Sequence, residues 1–242
     1  MIIKNDLSSF LYSKLGFFKV VSITGAGGKT TLLNLLGRIF GLKNEKVMLT
    51  TTTHLAKNCI YSADEIITGP LTYNGSNSVL YISTDTENPN KYKSPGEKFI
   101  SNFSKYFNHT FIEADGSNTL PLKYHSEKDP VIISDSQFLL SIIGLDGFAK
   151  RIDDVMHNAD KYFDDFPDRK CRRVDFCDYL NLINSKDGAF KGANRRKSIL
   201  FLNKIDLIDD VNLLKRLVDF SNQTGCILSS FEKNYYISDN II

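Results

Sequence analysis

The sequence predicts an α/β fold built on a mainly parallel sheet. Two observations carry this. Short apolar runs alternate with longer stretches of helical periodicity, and a glycine-rich turn joins the first run to the first periodic stretch. "FFKVVSI" reads as a buried strand, and "KTTLLNLLGRIFGL" after it spaces leucines and Ile39 at helical intervals. "KVMLTTT", "TFIEAD", "FLLSIIGL" and "SILFLNK" read as further strands. The helix-like "DDVNLLKRLVDFSNQTG" and a short strand "CILSS" complete the series. Strands that alternate with helices need crossover connections, hence a parallel sheet covered on both faces.

The 242 residues suit one large domain spanning 1–242, with two departures from the rhythm. Residues 69–97 carry "GPLTYNGSN" and "DTENPNKYKSPG", so a hairpin or excursion is expected there. Residues 146–197 are strongly charged and read as a helical insertion, because the core strand pattern resumes after them. A hydrophobic fraction of 42% and a charged fraction of 24% allow a substantial core. Thirty basic against 28 acidic residues leave a formal charge of +2, too balanced for a nucleic-acid-binding surface. Cys59, Cys171, Cys177 and Cys226 form no CxxC pair, which favours reduced thiols in a cytosol over zinc or disulfides. The N-terminal stretch lacks the pattern of a signal peptide, and no window reaches the roughly 20 apolar residues of a membrane span. A soluble, cytoplasmic protein is expected.

The chemistry is concentrated in "TGAGGKTT". Glycines at the carboxyl end of a strand let the backbone turn its N–H groups against phosphate oxygens, and the helix that follows adds its positive end. Gly25, Ala26, Gly27, Gly28, Lys29, Thr30 and Thr31 are thus expected to cradle a nucleotide, with Lys29 on the terminal phosphates and Thr30 on Mg²⁺. The usual P-loop has a glycine where Ile23 stands, so this is a shorter variant. The fold expected is therefore a P-loop NTPase-like three-layer sandwich.

Three other segments fall on the same sheet edge. "TFIEADGS" ends a strand with Glu113 and Asp115, either of which could hold Mg²⁺ or its waters, with Asp115 slightly favoured. "LTTTTHL" brings His54 beside the phosphate loop as a candidate to orient the attacking group. "FLNKIDL" ends a late strand with N-K-x-D, resembling the guanine-reading motif of GTPases: Asn203 on the base edge, Lys204 along the ring and Asp206 on paired N–H donors. Adenine lacks those donors and would leave the carboxylate unpaired, a penalty of about 1–3 kcal/mol, so GTP is favoured over ATP.

With "TGAGGKTTL", "TTTH", "IEADGSNTLPLKYHSEKDPVI", "GLDGFAK", "MHNAD", "GAFKGAN" and "LNKIDL" in this order, the chain resembles the YqeC-like family of selenium cofactor biosynthesis proteins, also called selenium-dependent hydroxylase accessory proteins. The resemblance spans about residues 10 to 230. It implies a P-loop NTPase fold and a role in maturing selenium-dependent molybdenum hydroxylases. Carried onto this chain, it adds Thr53, Gly116, Pro121, Lys123, His157 and Lys191 to the functional positions. Asn158 stands where relatives are expected to have arginine, which removes a cationic pair beside His157. Implied partners are a nucleotide and a selenium- or molybdopterin-related substrate or client hydroxylase, and a homodimer across the nucleotide is compatible although no residue demands it.

Lys29, Glu113, Asp115 and His54 would carry hydrolysis or phosphoryl transfer. Two other classes fit parts of the pattern. A Mur-type ligase or kinase-like enzyme would use ATP to activate a small substrate, though 242 residues leave no room for a Mur ligase's other domains. A non-catalytic, nucleotide-dependent switch or scaffold would need only the binding loop.

Overall fold

The computed structural model describes residues 3–60, 62–68, 79–194 and 196–237. Seven parallel strands form the centre of its sheet: β1 (Val20–Gly25), β2 (Val47–Thr51), β3 (Val79–Asp85), β4 (His109–Glu113), β5 (Phe138–Gly144), β6 (Lys197–Asn203) and β7 (Ile227–Ser230). They lie in the order β7-β6-β5-β1-β4-β2-β3, every adjacent pair parallel. Short strands extend both sides. Tyr235–Ile237 and then Lys4–Asp6 run antiparallel beyond β7. Lys91–Lys93 and then His54–Ala56 do the same beyond β3, which also pairs in parallel with Glu65–Thr68.

Strand β3 lies within the segment read as an excursion. Of that segment, residues 69–78 are outside the described residues, and the remainder supplies β3 and Lys91–Lys93. The turn formers on both sides hide a short apolar run, whose place is fixed by pairing with β2 from Val47↔Val79 onward.

Helix α1 (Leu7–Leu15) begins where the Asp6 carboxylate accepts the Ser9 N–H at 2.7 Å, and its buried leucines recur every four residues. It packs with α2 (Lys29–Gly41) on one sheet face, against Val21, Ile23, Leu49, Phe111 and Leu140. Neighbouring strand positions point the other way, as the two-residue period requires. Val20, Met48 and Ile112 meet Ile100 of α3 (Glu97–Phe103). Ile143, Leu200, Leu202 and Leu228 share a core with α4 (Ile152–Val155), α5 (Ala159–Asp165), α6 (Phe176–Asn184) and α7 (Val211–Thr224). Residues 146–197 contain α4, α5 and α6, and this stretch is clasped to the loop after β4 by a two-stranded sheet pairing Met156–His157 with Leu122–Lys123. Among the described residues no helix is long and apolar enough to cross a membrane.

The register gathers the strand ends that matter. Glu113 lies opposite both Ile23 and Thr51, Gly25 opposite Ile142, and Gly144 opposite Asn203. The carboxyl ends of β1, β2, β4, β5 and β6 therefore share one edge, where open α/β sheets form their ligand crevice.

Candidate functional site

The loop from β1 into α2 can be built only with glycine. Gly25, Gly27 and Gly28 have φ of 93°, 84° and 140°. A Cβ on Gly25 would stand 2.1 Å from the Ile142 carbonyl oxygen, and one on Gly27 2.4 Å from the Gly144 Cα. Ala26, buried between them, donates its N–H to the Ile142 carbonyl at 2.9 Å. Asn203 braces the loop from β6: its Nδ2 donates to the Gly27 carbonyl at 2.9 Å, and its Oδ1 accepts the Phe231 N–H at 3.0 Å. No described residue accepts the N–H groups of Gly27 or Gly28, and no side chain caps α2. The first turn of a helix leaves its N–H groups without intrahelical partners, so the loop presents a bed of amides suited to an anion.

Lys29 and Asp115 form the hub beneath this loop. The Lys29 ammonium donates to the Gly25 carbonyl at 2.6 Å and to the Ser117 hydroxyl at 2.9 Å, and lies 3.3 Å from Asp115 Oδ1. Asp115, with no exposed surface, takes the Gly25 N–H at 2.9 Å and His125 Nε2 at 2.8 Å on its other oxygen, with Lys123 3.4 Å away. His125 Nδ1 sits 2.9 Å from the Gly188 carbonyl, so both ring nitrogens are engaged. Burial alone would raise the Asp115 carboxyl, but Lys29, the His125 hydrogen bond and Lys123 outweigh it and hold the group well below the usual carboxylate range.

Glu113 behaves differently. Its Oε2 accepts the Thr30 hydroxyl at 2.9 Å, and burial pushes its carboxyl up to about 7 against the pull of Lys29 and Thr30. Thr30 and Glu113 thus set two hard oxygens side by side at the mouth of the loop.

Lys29, Thr30 and Glu113, but not Asp115, border a cleft of about 750 Å³ also lined by Gly27, Gly28, Thr31, Thr53, His54, Gly116, His157 and Lys204. Thr53 is tied back by its N–H to the Thr51 hydroxyl at 3.0 Å, and His54 is exposed on the edge strand. Lys123 is buried under the cleft, bonded to the Gly116 carbonyl and paired with Asp129 at 3.2 Å. Pro121 contributes its carbonyl, which accepts the Gly144 N–H at 2.9 Å. The structure does not bring Lys191 to the cleft wall: its ammonium is held by the Ser126 carbonyl at 2.7 Å and Asp187 at 2.6 Å. Lys204, in the left-handed conformation, reaches Asp146 at 2.7 Å, and Asp206 lies half-buried in the turn Ile205–Leu207 that follows. A second cavity, about 630 Å³, runs along α2, but the Asn34 amide at its wall is already engaged by Thr30, Cys59 and Ser62.

The YqeC protein family model matches residues 21–160. The chain belongs to the YqeC family. It is 24% identical over 194 residues to the protein named "Uncharacterized protein YqeC" of Escherichia coli (strain K12), an alignment covering 76% of this chain and 75% of the relative. No solved structure matches it. The YqeC match runs from the glycine loop through Glu113 and Asp115 to His157, while Lys191 and Asn203 to Asp206 lie outside the matched residues. Ser117, His125 and Asp129, which complete the hub in this YqeC member, were not singled out in the sequence. Their signal is short-range: His125 follows Asp115 by 10 residues within the same turn-rich segment.

Proposed function

We propose that the chain is a Mg²⁺-dependent nucleotide-binding protein of the P-loop NTPase type, hydrolysing its nucleotide with GTP preferred over ATP. The observation that carries this reading is one cleft that joins an amide-lined glycine loop, the Lys29 ammonium and the Thr30–Glu113 oxygen pair. The phosphates would lie along Gly25 to Thr31, and Lys29 would exchange Asp115 and Ser117 for terminal phosphate oxygens. Thr30 and Glu113 fit Mg²⁺, which prefers hard oxygens and takes few from protein; when bound, it neutralises phosphate charge. This arrangement favours Glu113 over Asp115 as the metal carboxylate, because Asp115 is already spent on Gly25, Lys29, Lys123 and His125.

The base preference rests on Asn203, Lys204 and Asp206. Asn203 already ties the loop to β6, and Asp206 follows a left-handed Lys204 with no hydrogen bond among the described residues. A carboxylate left free there suits the paired N–H groups of guanine. The resemblance to selenium-dependent hydroxylase accessory proteins supports the pathway: hydrolysis would accompany assembly or delivery of a selenium- or molybdopterin-related cofactor to a client hydroxylase.

Titration calorimetry with GTP and ATP, with and without Mg²⁺, tests the reading. Mg²⁺-dependent binding at least about tenfold tighter for GTP is expected, with loss of binding in Lys29→Ala and collapse of the GTP preference in Asp206→Asn. Undiminished affinity in Lys29→Ala would remove the phosphate cradle, and an unchanged GTP/ATP ratio in Asp206→Asn would remove the base reader.

A further inference from the structure

His157 occupies a place that phosphate binding does not explain. Its backbone is held by one neighbouring strand: it lies opposite Lys123 in a parallel pair, and its carbonyl accepts the Tyr124 N–H at 3.0 Å. The next residue, left-handed Asn158, donates its amide to the Tyr124 carbonyl at 2.7 Å. Lys123 is itself locked between Asp115 and Asp129. The imidazole is therefore carried on a rigid support anchored under the glycine loop.

The four histidines are in different situations. Both ring nitrogens of His109 are engaged, by the Phe18 carbonyl and Glu45, and both of His125, by Gly188 and Asp115. His54 is exposed on an edge strand. His157 is half-buried, lines the cleft beside Gly27 to Thr31, and has no hydrogen bond to either ring nitrogen among the described residues. Burial lowers its pKa, Lys123 and, more weakly, Lys29 push the same way, and Asp129 and Asp115 oppose them without prevailing. At neutral pH the ring is uncharged and keeps a nitrogen that can accept a proton. Glu113, which burial pushes up to about 7, is committed to the Thr30 hydroxyl.

Building on the nucleotide reading above, we propose that His157 is the catalytic base for phosphoryl transfer to water in this cleft. A ring nitrogen takes one proton from water as the water oxygen forms its bond to the γ-phosphorus. The bond from that phosphorus to the β,γ-bridging oxygen breaks, and its electron pair leaves with the nucleoside diphosphate. The imidazolium then releases its proton to solvent on the open side of the cleft, so the products are diphosphate, phosphate and one proton.

The test compares the unmodified chain with His157→Gln and His157→Ala. Calorimetry gives Mg²⁺-GTP and Mg²⁺-ATP affinity, and phosphate release is followed across pH. Affinity should stay within about threefold while turnover falls by at least about 100-fold and loses its acidic limb. Added imidazole should restore part of the rate in His157→Ala. In the unmodified chain, the non-hydrolysable β,γ-imido analogue should shift the His157 ring resonances. Turnover within about threefold in both variants overturns the proposal, and so does a lost rate with no imidazole rescue and unmoved ring resonances. Nucleotide binding without phosphate release by the unmodified chain overturns the base alone and leaves the cradle standing. Absence of nucleotide binding removes both.

Discussion

Glu113 and Asp115 stand two positions apart, yet their surroundings drive them in opposite directions. Asp115 is ringed by Lys29, Lys123 and His125, so it stays ionised; Glu113 has one hydroxyl partner and is buried, so burial decides. A carboxyl raised from an ordinary 4.5 to about 7 keeps, in the folded chain, a proton that the unfolded chain has released between those values. Stability must therefore fall as pH rises through that window and stay lower above it. The loss is on the order of 3 kcal/mol, and Glu113→Gln should flatten it. Urea melts of the metal-free protein on both sides of the window, with and without the substitution, check this. Equal slopes for the two proteins would mean that Glu113 is ionised throughout. That the two carboxyls share a strand end was legible from "TFIEAD"; that they differ was not, because the cations that separate them come from α2 and from the loop after β4.

At the scale of elements, the junction of β1 and α2 is held by close backbone contact, and glycine comparisons measure it. Gly25 and Gly96 have nearly the same φ, 93° and 95°, but a Cβ at Gly25 would meet the Ile142 carbonyl at 2.1 Å while one at Gly96 would meet nothing within 4 Å. Gly96→Ala should cost only the backbone term, about 1–3 kcal/mol. Gly25→Ala must also push β5 away from β1 and should cost at least about twice that. Thermal or chemical melts of the two variants decide the point, and equal losses would show that the loop can yield. The alternation of apolar runs made β1, β2, β4, β5, β6 and β7 readable. It did not reveal β3, masked by turn formers, or α1, whose register depends on packing Tyr12 against Phe40 of α2 and Phe10 against Tyr236.

For the whole molecule, Asp115 is the point where separate regions meet. Through it the glycine loop (Gly25, Lys29), the loop after β4 (Lys123, His125) and the Gly188 carbonyl beyond α6 are joined in one buried network. Replacing Asp115 with Ala leaves buried cations without their carboxylate, a change that typically costs about 3–5 kcal/mol. Asp129→Ala, which removes a partly exposed partner of Lys123, should cost less than half as much. Chemical denaturation of both, read alongside hydrogen exchange at residues 186–190, tests whether the network ties the distant segment to the loop. A loss for Asp115→Ala no larger than that for Asp129→Ala would contradict it.

The sequence by itself determined the parallel α/β class, the glycine turn ahead of α2, and the membership of Glu113, Asp115 and Asn203 in strand ends on one sheet edge. These follow from local rules: two- and 3.6-residue periods, and a conformation only glycine adopts cheaply. Tertiary structure alone decided which charges share a site. It put His125 and Lys123 on Asp115, turned Lys191 to Asp187, left His54 on an exposed edge, and set His157 beside Lys123. Such meetings depend on strand order and on which buried charges find partners. Neither is encoded in the spacing of residues along one segment.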